Sequence, residues 1–206
     1  MRREFFMLWR VFPWILGIVV IAVGFYAWIE RVSNYSILTN PLVLFPVLGI
    51  WAWSVMWTHF VIDEIRRLKP ELPKNIPYKK VSFSFVLFCI LLHPSIILYA
   101  EYKAGLGLSL LNAWTVQIAV IAFFIFLSFE FFDRTRKNPK VAKKWWLVNI
   151  SQSTAMMLIF IHSINLGSHL QQGWFRTYWM ILGAILTVCI IHMHIWDWNF
   201  FRKKFS

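Results

Sequence analysis

Apolar runs of membrane length recur six times along this chain, at about 13–30, 41–62, 81–100, 112–132, 146–166 and 177–196. Each is close to the roughly 20 residues that an α-helix needs to cross a hydrocarbon core. None contains a Lys or Arg, and the acidic residues within them, Glu30 and Glu130, lie close to span ends. Lipid satisfies no backbone donor or acceptor, so such runs must hydrogen-bond internally, as helices. The pattern predicts an all-α fold: a polytopic membrane protein built as a six-transmembrane-helix bundle. Helices and short loops use the whole of 1–206, which predicts a single domain with no room for a soluble nucleotide-binding module. Gly105-Leu106-Gly107 lacks the third glycine of a dinucleotide fingerprint.

Composition agrees. The 206 residues are 59% hydrophobic and 19% aromatic, with mean hydropathy +0.61, well beyond soluble-domain values. The first apolar run is too long for a secretory signal core, and no small-residue cleavage site follows it, so an uncleaved first helix is expected. Most tryptophans cluster near span ends, as in an interfacial aromatic belt. Gly17 and Gly24, seven apart, mark a face of the first helix where another helix can approach closely. Cys89 and Cys189 fall inside spans and match no disulfide framework or metal-ligand spacing.

A net charge of +12 raises the question of nucleic acid, but its distribution answers it. Arg2, Arg3 and Arg10 precede the first span, and Arg66, Arg67, Lys69, Lys74, Lys79 and Lys80 follow the second. Arg134, Arg136, Lys137, Lys140, Lys143 and Lys144 follow the fourth, and Arg202, Lys203 and Lys204 end the chain. That places 18 of the 21 basic residues on one side, against Arg31, Lys103 and Arg176 on the other. The positive-inside rule then puts both termini in the cytoplasm of a cell whose plasma (inner) membrane holds the protein. The basic excess is a topology signal with affinity for anionic membrane lipid, and no nucleic-acid partner is expected.

His93 and His162 carry the candidate chemistry. An ionisable side chain inside a span is costly and usually functional. Spans three and five run in the same direction, with His93 eight residues before Glu101 and His162 nine before Gln171. At 1.5 Å per residue both lie roughly 12–14 Å below the outer boundary. A haem iron clamped between two helices needs that match of depth and one imidazole from each helix. The alternative is a pair of interhelical hydrogen-bonding histidines. Pro94, directly after His93, removes a backbone donor and should bend span three. His169 lies beyond span five, and with Lys103 and Arg176 it supplies outer cationic groups for haem propionates, or else a solvated loop.

The remaining histidines lie toward the inner ends. His192 and His194 are two apart, about 200° around a helix, so one metal cannot easily take both. His59 and Asp63 share a helix face and suggest a hydrogen-bonded pair. This inner group either borders a quinone or flavin pocket or consists of ordinary interfacial polar residues. No hydrolytic or nucleotide-binding signature is present, and no intramembrane carboxylate pair for ion coupling.

Placed together, these residues resemble the ferric reductase-like transmembrane domain superfamily, which includes the haem-binding membrane partner of methionine sulfoxide reductase. The resemblance covers spans two to six. It is carried by Leu48-Gly49-Ile50-Trp51-Ala52-Trp53 leading to Arg66-Arg67-Leu68, and by Leu91-Leu92-His93-Pro94 with Tyr99. Lys143-Lys144-Trp145-Trp146 leading to Ile161-His162, and Asn165-Leu166-Gly167-Ser168-His169, complete it. The resemblance implies a haem b on His93 and His162 near the outer face, in an electron-transport subunit of an oxidoreductase. Two-haem members carry another histidine 13 or 14 residues before each of that pair. Here those positions hold Lys80 or Lys79 and Asn149 or Val148, so an inner haem is not expected. Electrons then need a quinone or flavin, or a redox partner protein. A chain whose ligand set had decayed would instead be a haem-free membrane anchor or assembly subunit.

Overall fold

The computed structural model describes residues 2–32, 45–73, 76–105, 113–135, 138–166 and 173–205. Among them are seven helices and no strand: α1 (Arg2–Val32), α2 (Phe45–Leu68), α3 (Ile76–Lys103), α4 (Trp114–Thr135), α5 (Pro139–Lys143), α6 (Trp145–Leu166) and α7 (Trp174–Phe205). Each of the six predicted spans has a long helix over it. The short α5 was not expected. Asn138 caps it, its side chain accepting from the Lys140 amide at 3.0 Å, and Pro139 fits the first turn because no intrahelical bond needs its missing N–H.

Four helical stretches are long and apolar enough to cross a membrane: Met7–Glu30, Pro77–Lys103, Trp145–Asn165 and Trp174–Ile195. The apolar stretch found in α4, Trp114–Ser128, is shorter, and α2 does not meet the same measure. The reason for α2 is its position. It is the hub on which α1, α3, α6 and α7 all pack, and residues 46–62 are buried or half-buried throughout. A helix enclosed by protein carries Ser54, Thr58 and Glu64 buried without presenting them to lipid. By contrast α7 exposes Met180, Ile181, Ile185, Val188, Ile191 and Ile195, a surface suited to lipid chains. The described residues form an all-helical bundle with four membrane-length apolar helices.

Contacts between the ends show how the helices alternate. At one end the Trp9 indole donates to the Pro73 carbonyl at 3.0 Å, and Glu64 of α2 pairs with His192 of α7. At the other end the Trp174 indole donates to Glu30 at 2.9 Å. The first turns of α1, the α2–α3 connection and the latter part of α7 therefore share one end of the bundle, the end rich in Arg and Lys.

The small-residue face of α1 is used as expected. A Cβ on Gly17 would stand 2.6 Å from the Tyr78 hydroxyl oxygen, and one on Gly24 would stand 2.5 Å from Ile50 Cγ2. Missing side chains there let α3 and α2 close on α1. A third close approach lies between α6 and α7, where a Cβ on Gly183 would fall 2.0 Å from Phe160 Cζ. Phe160 is wedged between that glycine and Trp53, whose ring stacks on it at 5.7 Å.

Candidate functional site

The half-buried imidazole of His93 lies against the backbone of α2. A Cβ built on Gly49 would stand 3.1 Å from its Cε1, 3.4 Å from Nδ1 and 3.6 Å from Nε2. The edge of the ring that carries both nitrogens thus occupies the space a side chain at position 49 would take.

His162, on α6, is held differently. Its Nδ1 lies 2.8 Å from the carbonyl oxygen of Thr115, in the first turn of α4. A carbonyl only accepts, so Nδ1 carries the proton and donates. In neutral imidazole the lone pair then belongs to Nε2. Metal-bound histidines are commonly held this way, the second nitrogen donating to a carbonyl that fixes tautomer and ring plane. Helix α4 packs mainly along α6, which keeps that carbonyl in place. Next to His162 in the chain, Ser163 accepts at Oγ from the Trp179 indole at 2.9 Å, which fixes α7 beside α6.

The two histidines sit on helices that both pack on α2, but His93 meets α2 itself, at Gly49, while His162 is bonded to α4. Helices α3 and α6 both pack on α2 and make little contact with each other. Gly49, which meets His93, and Trp53, which meets Phe160, are four apart and lie one turn above the other on the same side of α2. Phe160, which meets Trp53, is two residues before His162, about 200° around α6, so His162 is turned from that contact toward α4.

Of the outer cationic residues, Lys103 is exposed at the end of α3, with its ammonium 5.8 Å from the centre of the Tyr99 ring. It lies ten residues past His93, about 15 Å along the helix axis. Arg176 is exposed in the first turn of α7, beside the Trp174–Glu30 contact. His169 lies outside the described residues.

The inner end holds a polar network that the sequence reading paired wrongly. His59 is bonded not to Asp63 but across to α3, its Nε2 lying 2.6 Å from Ser82 Oγ. Asp63 takes the Lys79 ammonium through both oxygens, one at 2.6 Å, and lies 3.9 Å from Arg66. A carboxylate prefers a full cation to a neutral imidazole, and the packing of α3 on α2 brings that cation within reach. Glu64, passed over in the sequence, is nearly buried and joins His192 Nδ1 to Arg67, the latter at 3.6 Å. Its only signal was its place beside Asp63. Gly49 was visible only as part of a longer motif, and nothing in the sequence marked the Thr115 carbonyl.

Among the described residues no three or more His, Cys, Asp and Glu side chains converge as a metal site. Comparison with protein-family models, curated proteins and solved structures finds no match to this chain.

Proposed function

We propose that the chain is a six-span membrane b-type cytochrome of the ferric reductase-like class, carrying electrons to or from the outer face through one haem on His93 and His162. The observation that carries the reading is the pair itself. Two imidazoles stand within apolar helices that both pack on α2, His93 against Gly49 and His162 with its Nδ1–H committed to the Thr115 carbonyl, which leaves its Nε2 to ligate. When bound, the haem supplies a one-electron couple, and the chain sets its exposure and dielectric.

Each residue then has a task. His93 and His162 provide the axial nitrogens, and the Thr115 carbonyl holds the second ring in plane. Trp53 and Phe160 exclude water from the inner side. Lys103, Arg176 and His169 are the cationic groups available to propionates at the outer end. The reading includes no inner haem, because the positions 13 or 14 residues before each histidine hold Lys80 or Lys79 and Asn149 or Val148. Electrons reach the site from a quinol in the bilayer, from a flavin near His59, His192 and Trp196, or from a redox partner protein.

Pyridine haemochrome analysis of the purified protein should give about one b haem per chain. Two would remove the single-site argument, and none in protein expressed with excess haem would make the chain a haem-free anchor. The topology is tested separately. The basic residues divide 18 to 3, so reporter fusions at the start of α1 and at Ser206 should both read cytoplasmic at the plasma membrane. A periplasmic or extracellular signal from the Ser206 fusion would invert the scheme and remove the outer placement of the haem.

A further inference from the structure

We propose that Gly49 is a positioning residue for His93: the absent side chain forms the seat of the imidazole and so sets how its ligating nitrogen meets the iron. The inference rests on the haem reading above and adds to it a determinant on a helix that supplies no ligand.

A glycine inside a helix costs about 0.5–1 kcal/mol relative to alanine, so its presence in the hub helix needs a local reason. Backbone conformation is not that reason. Among the described residues the glycines with positive φ are Gly105 and Gly173, both outside the helices. Close helix approach is the reason at Gly17, Gly24 and Gly183, where a Cβ would strike a tyrosine hydroxyl, an isoleucine methyl or a phenylalanine ring. At Gly49 the nearest atoms are Cε1, Nδ1 and Nε2 of His93, at 3.1, 3.4 and 3.6 Å. A methyl group there displaces the ring by a few tenths of an ångström, on the edge that carries both nitrogens. Ligand constellations tolerate errors of only about 0.5 Å or 10–20°, so a shift of a few tenths of an ångström takes up most of that margin at the axial bond while leaving the fold intact.

The test uses the full chain in detergent, titrated with haemin. Gly49→Ala is expected to weaken haem binding by roughly tenfold, the lower end of the range for groups that orient a ligand. It should also convert part of the low-spin EPR signal to high spin. Gly24→Ala is the packing control: it crowds Ile50 on the same central helix, so it should lower Tm yet keep the wild-type haem spectrum. A second arm does not depend on Gly49→Ala folding. In His93→Gly, millimolar imidazole should enter the vacated seat and restore a six-coordinate spectrum. In His93→Gly/Gly49→Val, where the valine has the space the ring left, imidazole should fail to do so. A wild-type spectrum and affinity in Gly49→Ala, or equal imidazole rescue in both His93→Gly backgrounds, would overturn the proposal while leaving the cytochrome reading in place. A wild-type protein that takes up no haem would end both.

Discussion

His93→Ala and His162→Ala are each expected to lower haem affinity by more than about 100-fold, beyond the range seen when only an orienting partner is lost. His59→Ala and His194→Ala should leave the absorption spectrum nearly unchanged. The argument is one of distance. On α2, His59 is ten residues inward of Gly49, about 15 Å along the axis, and its imidazole is already bonded to Ser82. On α7, His194 is eleven residues past Gly183, which faces Phe160, so it lies about 16 Å along the axis from that contact, on the side away from the Ser163–Trp179 bond. Neither reaches an iron held between His93 and His162. Circular dichroism of the haem-free variants separates ligand loss from misfolding, since removing a half-buried imidazole should leave helix content intact. Low-spin haem retained in His162→Ala, together with its loss in His59→Ala or His194→Ala, would refute the ligand assignment.

Trp53→Ala should be the most destabilising single change in the bundle, at about 3–5 kcal/mol by the usual cost of truncating a buried aromatic. Trp53 is 1% exposed, its ring 4.3 Å from that of Trp179 and 5.7 Å from that of Phe160. It therefore fills the junction of α2, α6 and α7. In lipid no hydrophobic drive compensates for a lost contact, because the hydrocarbon outside is as apolar as the core, so packing contacts carry the association. Phe160, unsupported on one side, would shift α6 and with it His162. The expected readouts are a large drop in thermal stability and a heterogeneous haem spectrum, with Trp53→Phe intermediate. Val188→Ala on the lipid-facing side, where Val188 is 66% exposed, should stay within about 0.5 kcal/mol of wild type. Equal stability for Trp53→Ala and Val188→Ala would mean that the hub does not hold the bundle together.

Much of the fold was legible along the chain because membrane length and charge asymmetry are one-dimensional quantities. Among the described residues long helices lie over the apolar runs, four of them long and apolar enough to cross a membrane, and the basic segments gather at one end of the bundle. Gly17 and Gly24 announced a close approach, and one occurs. His93 and His162 stood out because an imidazole in an apolar run is conspicuous whatever surrounds it. Elsewhere the reading stopped at local neighbours. His59 was matched with Asp63 because four residues separate them on one helix, whereas the fold gave each a partner on α3. Glu64 and His192 are 128 residues apart, and nothing in either segment names the other.

The sequence by itself determined that this chain forms apolar helices of membrane length, that most of its cations gather at one end, and that two histidines stand inside apolar runs. Tertiary structure alone decided that α2 is the hub, that the His93 ring fills the space left by Gly49, and that His162 donates to a carbonyl 47 residues away. The reason is that lipid and protein interior are both apolar. A soluble helix shows its buried face as a hydrophobic stripe, but a helix in a membrane is apolar all round, and its sequence does not show which side meets protein. That choice is made by shape, through the fit of rings against glycines and the reach of a few polar bonds.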